Sequence, residues 1–115
     1  MVTLAQIRAV ASALPRTSEH LIRDYVKFRI GSIVYLSVSP DETLMGFGFP
    51  REERASLVES RPDTFQLPRP SDMRYQWVVA RMAALDEDEM HELVVDAWRM
   101  CVPKKVVAAY LASLG

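Results

Sequence analysis

Apolar and polar positions alternate with two different periods along the chain, and the changes of period mark its elements. Leu4, Ile7, Val10, Ala11 and Leu14 recur at helical spacing. Thr3 stands ahead of them with Gln6 three residues on, the pattern of a capping box, so a first helix is predicted that Pro15 stops. From Tyr25 the period becomes two: Val26, Phe28 and Ile30 face one way, and Tyr25, Lys27 and Arg29 the other. Gly31-Ser32 reads as a two-residue hairpin turn into a return strand over 33–39. Pro40-Asp41 makes the next turn, and 43–49 reads as a third strand.

Pro50 suits the start of a helix, Glu52 and Glu53 suit its positive end, and Ala55, Leu57 and Val58 supply a buried stripe before Pro62 ends it. A short strand over 64–67 and a longer one over 75–82 follow. Asp86 then caps the most regular helix of the chain, with Met90, Leu93, Val94, Ala97, Trp98 and Cys101 along one face. Pro103 opens a terminal helix whose apolar side holds Val106, Val107, Tyr110, Leu111 and Leu114. The order is α-β-β-β-α-β-β-α-α. Strands joined by short turns favour an antiparallel sheet, and the expected fold is a two-layer α+β domain with helices over one sheet face.

Composition bounds the function. The chain has 115 residues, the size of one domain, so residues 1–115 are expected to share one core. Half of the residues are apolar, and 14 Lys and Arg stand against 15 Asp and Glu. That balance excludes coating nucleic acid by bulk charge but leaves a local basic patch open. Cys101 is the one cysteine, so no intrachain disulfide and no Cys-rich metal site can form. No apolar run is long enough to span a bilayer, and Gln6 and Arg8 interrupt the first apolar residues, so no membrane partner and a cytoplasmic location are expected.

Two stretches resemble the MmcQ/YjbR family, also called DUF419. One is the hairpin Phe28-Arg29-Ile30-Gly31-Ser32-Ile33-Val34-Tyr35. The other is the C-terminal run of Trp77-Val78-Val79, the acid-rich helix start at Asp86, Ala97-Trp98-Arg99 and Pro103-Lys104. The helix ending in Leu14-Pro15 also fits. The resemblance implies a compact layer with an antiparallel sheet, of the double-wing or secretion-chaperone-like kind, and a DNA-binding role. Two positions depart from the family's pattern. Gln76 stands where relatives commonly carry a histidine before the strand tryptophan, and Gly46-Phe47-Gly48-Phe49 replaces a strand that often carries a lysine.

The polar sheet face is the first candidate site. Tyr25, Lys27 and Arg29 share it by parity, and Tyr35, Trp77 and Arg81 join it if the registers agree. Aromatics supply stacking surfaces and cations supply phosphate contacts. An ordinary solvated sheet face accounts for the same residues. Arg69, Arg74, Lys104 and Lys105 form a second basic group, with the lysines at a helix start that favours anions. Gly46 and Gly48 leave room for a packed helix, another chain or a flat ligand.

The run Asp86-Glu87-Asp88-Glu89 lacks the spacing of a calcium loop, and a helix N-terminus explains it. Glu87 and His91 can pair across a helical turn, and Cys101 reads as a buried, inert thiol. No phosphate loop, nucleophile elbow or zinc spacing is present, so no cofactor, metal or catalysis is expected.

Three functions remain. The first is a small DNA-binding protein using Tyr25, Lys27, Arg29, Arg74, Trp77, Lys104 and Lys105. The second is a protein-interaction or chaperone-like module, self-association included. The third is a ligand groove on the glycine face. Charge is uneven along the chain: 1–85 holds 11 Lys and Arg against 9 Asp and Glu, whereas 86–115 holds 3 against 6. A mildly basic sheet region beside an acidic helix start makes patch geometry the deciding feature.

Overall fold

A computed structural model describes residues 1–115. Its elements in chain order are α1 (Leu4–Ser12), β1 (Thr17–Ile22), β2 (Tyr25–Ile30), β3 (Ile33–Val38), β4 (Leu44–Gly48), α2 (Arg54–Ser60), β5 (Phe65–Gln66), β6 (Trp77–Arg81), α3 (Glu87–Arg99) and α4 (Lys104–Leu114). Short 3-10 turns at Pro70–Asp72 and Met82–Ala84 flank β6. The strands form one antiparallel sheet in the order β1-β2-β3-β4-β6-β5. The fold is the α+β arrangement that the pattern of the sequence implies, with one strand more at the N-terminal edge.

That extra strand, β1, pairs with β2 through a two-residue turn in which Arg23 and Asp24 have φ of 51° and 68°. Positive φ at both central positions is the geometry that Asn-Gly fills without strain and an arginine does not. Replacing Arg23-Asp24 by Asn-Gly is expected to stabilise the protein by about 1 kcal/mol, read as a Tm rise of about 4 °C in a thermal melt. At the next hairpin Gly31, with φ of 59°, already supplies the needed conformation.

The helix starts follow their caps. Thr3 Oγ1 accepts from the Gln6 amide while Gln6 Oε1 accepts from the Thr3 amide, completing the capping box of α1. Asp86 Oδ1 accepts from the Glu89 amide at 2.8 Å and opens α3. Phe28, Leu36, Val38, Met45, Phe47, Val78 and Ala80 have no exposed surface and share one sheet face. They merge with Ile7 and Ala11 of α1 and Met90, Val94, Ala97 and Trp98 of α3 in one core of 21 residues. Full burial of such a side chain contributes roughly 1.5–3 kcal/mol. Trp98 ties α3 to α4 and to the α1–β1 connection: its Nε1 donates to the Pro15 carbonyl, and its ring meets Tyr110 of α4 edge-on.

Three local expectations change. Helix α2 begins at Arg54 rather than Pro50, because residues 51–53 form a turn. Its buried residue is Arg54, while Ala55 is exposed. On α4, Val107 is buried, but Leu111 and Leu114 are exposed because no element packs over the helix end.

Candidate nucleic-acid interface

The register of the sheet assigns each strand residue to a face. His20 pairs with Lys27, Lys27 with Ser37, Ser37 with Gly46, and Gly46 with Val79, so these five form a row across the face opposite the core. Arg29 and Tyr25 lie two residues from Lys27 on the same strand, and Trp77 lies two residues from Val79, so all three project from this face. The structure therefore brings together Tyr25, Lys27, Arg29 and Trp77. Arg81 shares the face, although its guanidinium reaches back to the Pro62 carbonyl at 3.1 Å. No Asp or Glu projects from the six strands on this side. The one strand carboxylate, Glu19, pairs in register with Phe28 on the core side, where Arg8 of α1 holds it through two 2.9 Å contacts.

The side chains are arranged by their neighbours. Lys27 Nζ lies 5.9 Å from the centre of the Tyr25 ring. The indole of half-buried Trp77 lies across Gly46: a Cβ there would stand 2.7 Å from Trp77 Cζ2, 2.8 Å from Nε1 and 2.9 Å from Ser37 Oγ. Gly46 is thus what lets the indole lie down on the sheet. A Cβ at Gly48 would meet Ala97 of α3 and Met100 at that helix's C-terminal cap at ordinary contact distance. The room left by the two glycines is filled by Trp77 and by a helix, which removes the ligand-groove expectation.

Trp77 is positioned from below by Arg54. Strand β5 pairs only with Val79 and Ala80, so the carbonyls before that point have no strand partner on this side. Arg54 Nη1 donates to the Tyr75 carbonyl at 2.8 Å and to the Trp77 carbonyl at 3.4 Å, and Nη2 donates to the Met73 carbonyl. A planar guanidinium does here what another strand would do.

Tyr35 does not join the open face. The register between β2 and β3 shifts at Phe28/Arg29, leaving Tyr35 as an extra residue of β3, a bulge that turns it inward. It is fully buried, its hydroxyl lies 2.9 Å from Thr17 Oγ1, and burial pushes its pKa up to about 12.

The second basic group lies outside the strands. Arg69 pairs with Asp72, and Arg74 stacks on Tyr75 with its guanidinium carbon 4.9 Å from the ring centre. Lys104 and Lys105 sit exposed on the first turn of α4.

The acid run is absorbed locally. Asp86 caps α3, Glu87 accepts from Gln6 Nε2, and Glu89 pairs with Arg61, so Glu87 has its partner in α1 rather than in His91. Burial raises the pKa of the half-buried Cys101 thiol, which lowers its reactivity.

One residue of the face was not legible in the sequence as part of it. His20 lies 3.1–3.2 Å through both ring nitrogens from Arg29 Nη2, and its Nε2 lies 2.8 Å from Ser18 Oγ. Recognising β1 is the only step that finds it.

An α+β protein with an open sheet face bearing aromatics and cations, and no acid, is the class these features define. The YjbR family model matches residues 12–100, and the chain belongs to the YjbR family. The fold is similar to the crystal structure of the Deinococcus radiodurans protein DR2400, which has a DUF419 domain. The TM-score is 0.76 at 16% identity, over 91% of this chain and 82% of that one. No curated protein matches the chain.

Proposed function

We propose that this chain is a non-enzymatic, cytoplasmic DNA-binding protein whose open sheet face is the contact surface. The observation that carries the reading is the placement of Tyr25, Lys27, Arg29 and Trp77 on one face without a carboxylate among them. Lys27 and Arg29 contact phosphates, and Trp77 and Tyr25 offer rings for unstacked bases. A sheet with exposed aromatics suits single strands better than a duplex, whose bases stay stacked. The uneven charge of the chain agrees: the sheet region carries the basic excess while the total remains near neutral.

Fluorescence anisotropy with labelled single-stranded and duplex DNA tests the reading. Two or three phosphate contacts predict a single-strand affinity that weakens on the order of tenfold between about 50 and 200 mM salt. Absent or salt-independent binding at low salt overturns it.

A second reading, a protein-interaction module, has one observation in its favour. Strand β1 ends the sheet with an unpaired edge, and its Leu21 is 72% exposed. Light scattering that finds a monomer at all concentrations removes self-association through that edge.

A further inference from the structure

His20, Lys27, Arg29 and Ser18 concentrate hydrogen-bond donors at the β1–β2 end of the open face. Lys27 stands opposite His20 in register, and Arg29 Nη2 touches its ring. Neither cation has a carboxylate partner. Arg29 Nε is shielded from solvent and has no hydrogen-bond partner at all. Unpaired buried donors are costly, and so are cations gathered without an anion.

The guanidinium contact also bears on the imidazole. Arg29 Nη2 is 3.1 Å and 3.2 Å from the two ring nitrogens at once, which places it over the ring rather than on one lone pair, and a cation there repels a second positive charge. The other charged groups near His20 do not change this. Glu19 points to the core side and is held by Arg8, Arg23 and Asp24 at the hairpin tip form no ion pair, and Tyr25 faces Lys27.

We propose that His20, Lys27 and Arg29 form a subsite for a phosphoryl oxyanion that takes up a proton when it is filled. The inference rests on the nucleic-acid reading and assigns this end of the face to the backbone phosphate. An oxyanion between Lys27 and Arg29 draws the guanidinium donors to itself. His20 then loses the cation over its ring and gains an acceptor, and the protonated imidazole becomes the better partner. No bond of the ligand is made or broken; a buffer acid gives up a proton, and an N–H bond forms on the ring. By linkage, affinity rises as pH falls through the range in which imidazoles titrate.

The test is calorimetric titration of the whole protein with an oligothymidylate lacking terminal phosphates, in buffers of different ionisation enthalpy. Sulfate alone, which does not titrate in this range, serves as a second probe. The expected result is uptake of about half a proton per complex near pH 7, as for a ligand-coupled imidazole, and affinity about fivefold higher at pH 6 than at pH 8. Both effects are expected to vanish in His20→Gln, with His20→Asn as the second variant if the first does not fold. Oligonucleotide binding without proton uptake, or with the same uptake in the His20 variant, overturns the inference and leaves the DNA-binding reading standing. Sulfate binding with His20-dependent uptake but no oligonucleotide binding upholds the subsite and overturns the DNA-binding reading. Binding of neither probe overturns both.

Discussion

Replacing Arg54 by alanine is expected to lower stability by about 3 kcal/mol, the largest loss for any polar residue of the chain. Hydrogen bonds from a charged donor contribute roughly 1.5–3 kcal/mol each, and their loss leaves the acceptors unpaired. Three carbonyls are affected together, those of Met73, Tyr75 and Trp77, at a stretch of backbone that β5 does not reach. The contributions are not additive, since one guanidinium serves all three. Denaturant melts followed by circular dichroism measure the change, with an accompanying Tm fall of about 10 °C. Arg54→Lys is expected to recover less than half of the loss, because a single ammonium cannot span three carbonyls as a planar fork does. The wild-type midpoint in Arg54→Ala contradicts the role.

Gly46→Ala is expected to reduce single-strand affinity by about thirtyfold while the protein remains folded. The added Cβ would lie under 3 Å from Trp77 Cζ2, Trp77 Nε1 and Ser37 Oγ, so the indole must lift from the sheet. Base–aromatic stacking contributes roughly 1–3 kcal/mol per base, and a displaced ring loses most of it. Overpacking of this kind costs about 2 kcal/mol of stability besides. The chain has two tryptophans, and Trp98 has no exposed surface, so any new fluorescence quenching by acrylamide reports on Trp77. Unchanged quenching together with unchanged affinity contradicts the account of the platform.

What the sequence made legible was set by how regular each signal is. Strand β2 alternates cleanly, β3 is rich in strand-forming residues, and β2 to β4 are joined by turns that Gly31 and Pro40-Asp41 announce. Parity alone then placed Tyr25, Lys27 and Arg29 together, and the sheet register added Trp77. Strand β1 escaped for a physical reason. Thr17–Ile22 is an edge strand in which Ser18, Glu19, Leu21 and Ile22 are all exposed, so apolar and polar residues do not alternate. Its turn, Arg23-Asp24, adopts a conformation that those residue types do not signal. His20 was lost with it. The condition on Tyr35, that the registers agree, fails because a one-residue bulge reverses parity and leaves no mark in composition. Arg54 was hidden because an arginine on a short helix reads as solvated, and only the early end of β5 makes its burial necessary.

The central claim is that the acid-free sheet face is the surface that meets DNA. Amide and indole chemical-shift mapping of this 13.1 kDa protein, titrated with an oligothymidylate at low salt, tests it most directly. The account predicts that the largest shifts fall on His20, Lys27, Arg29, Ser37 and the Trp77 indole, with Lys104 and Lys105 barely moved. Shifts confined to the start of α4 or to the Leu21–Ile22 edge, or no shifts at all, would contradict it.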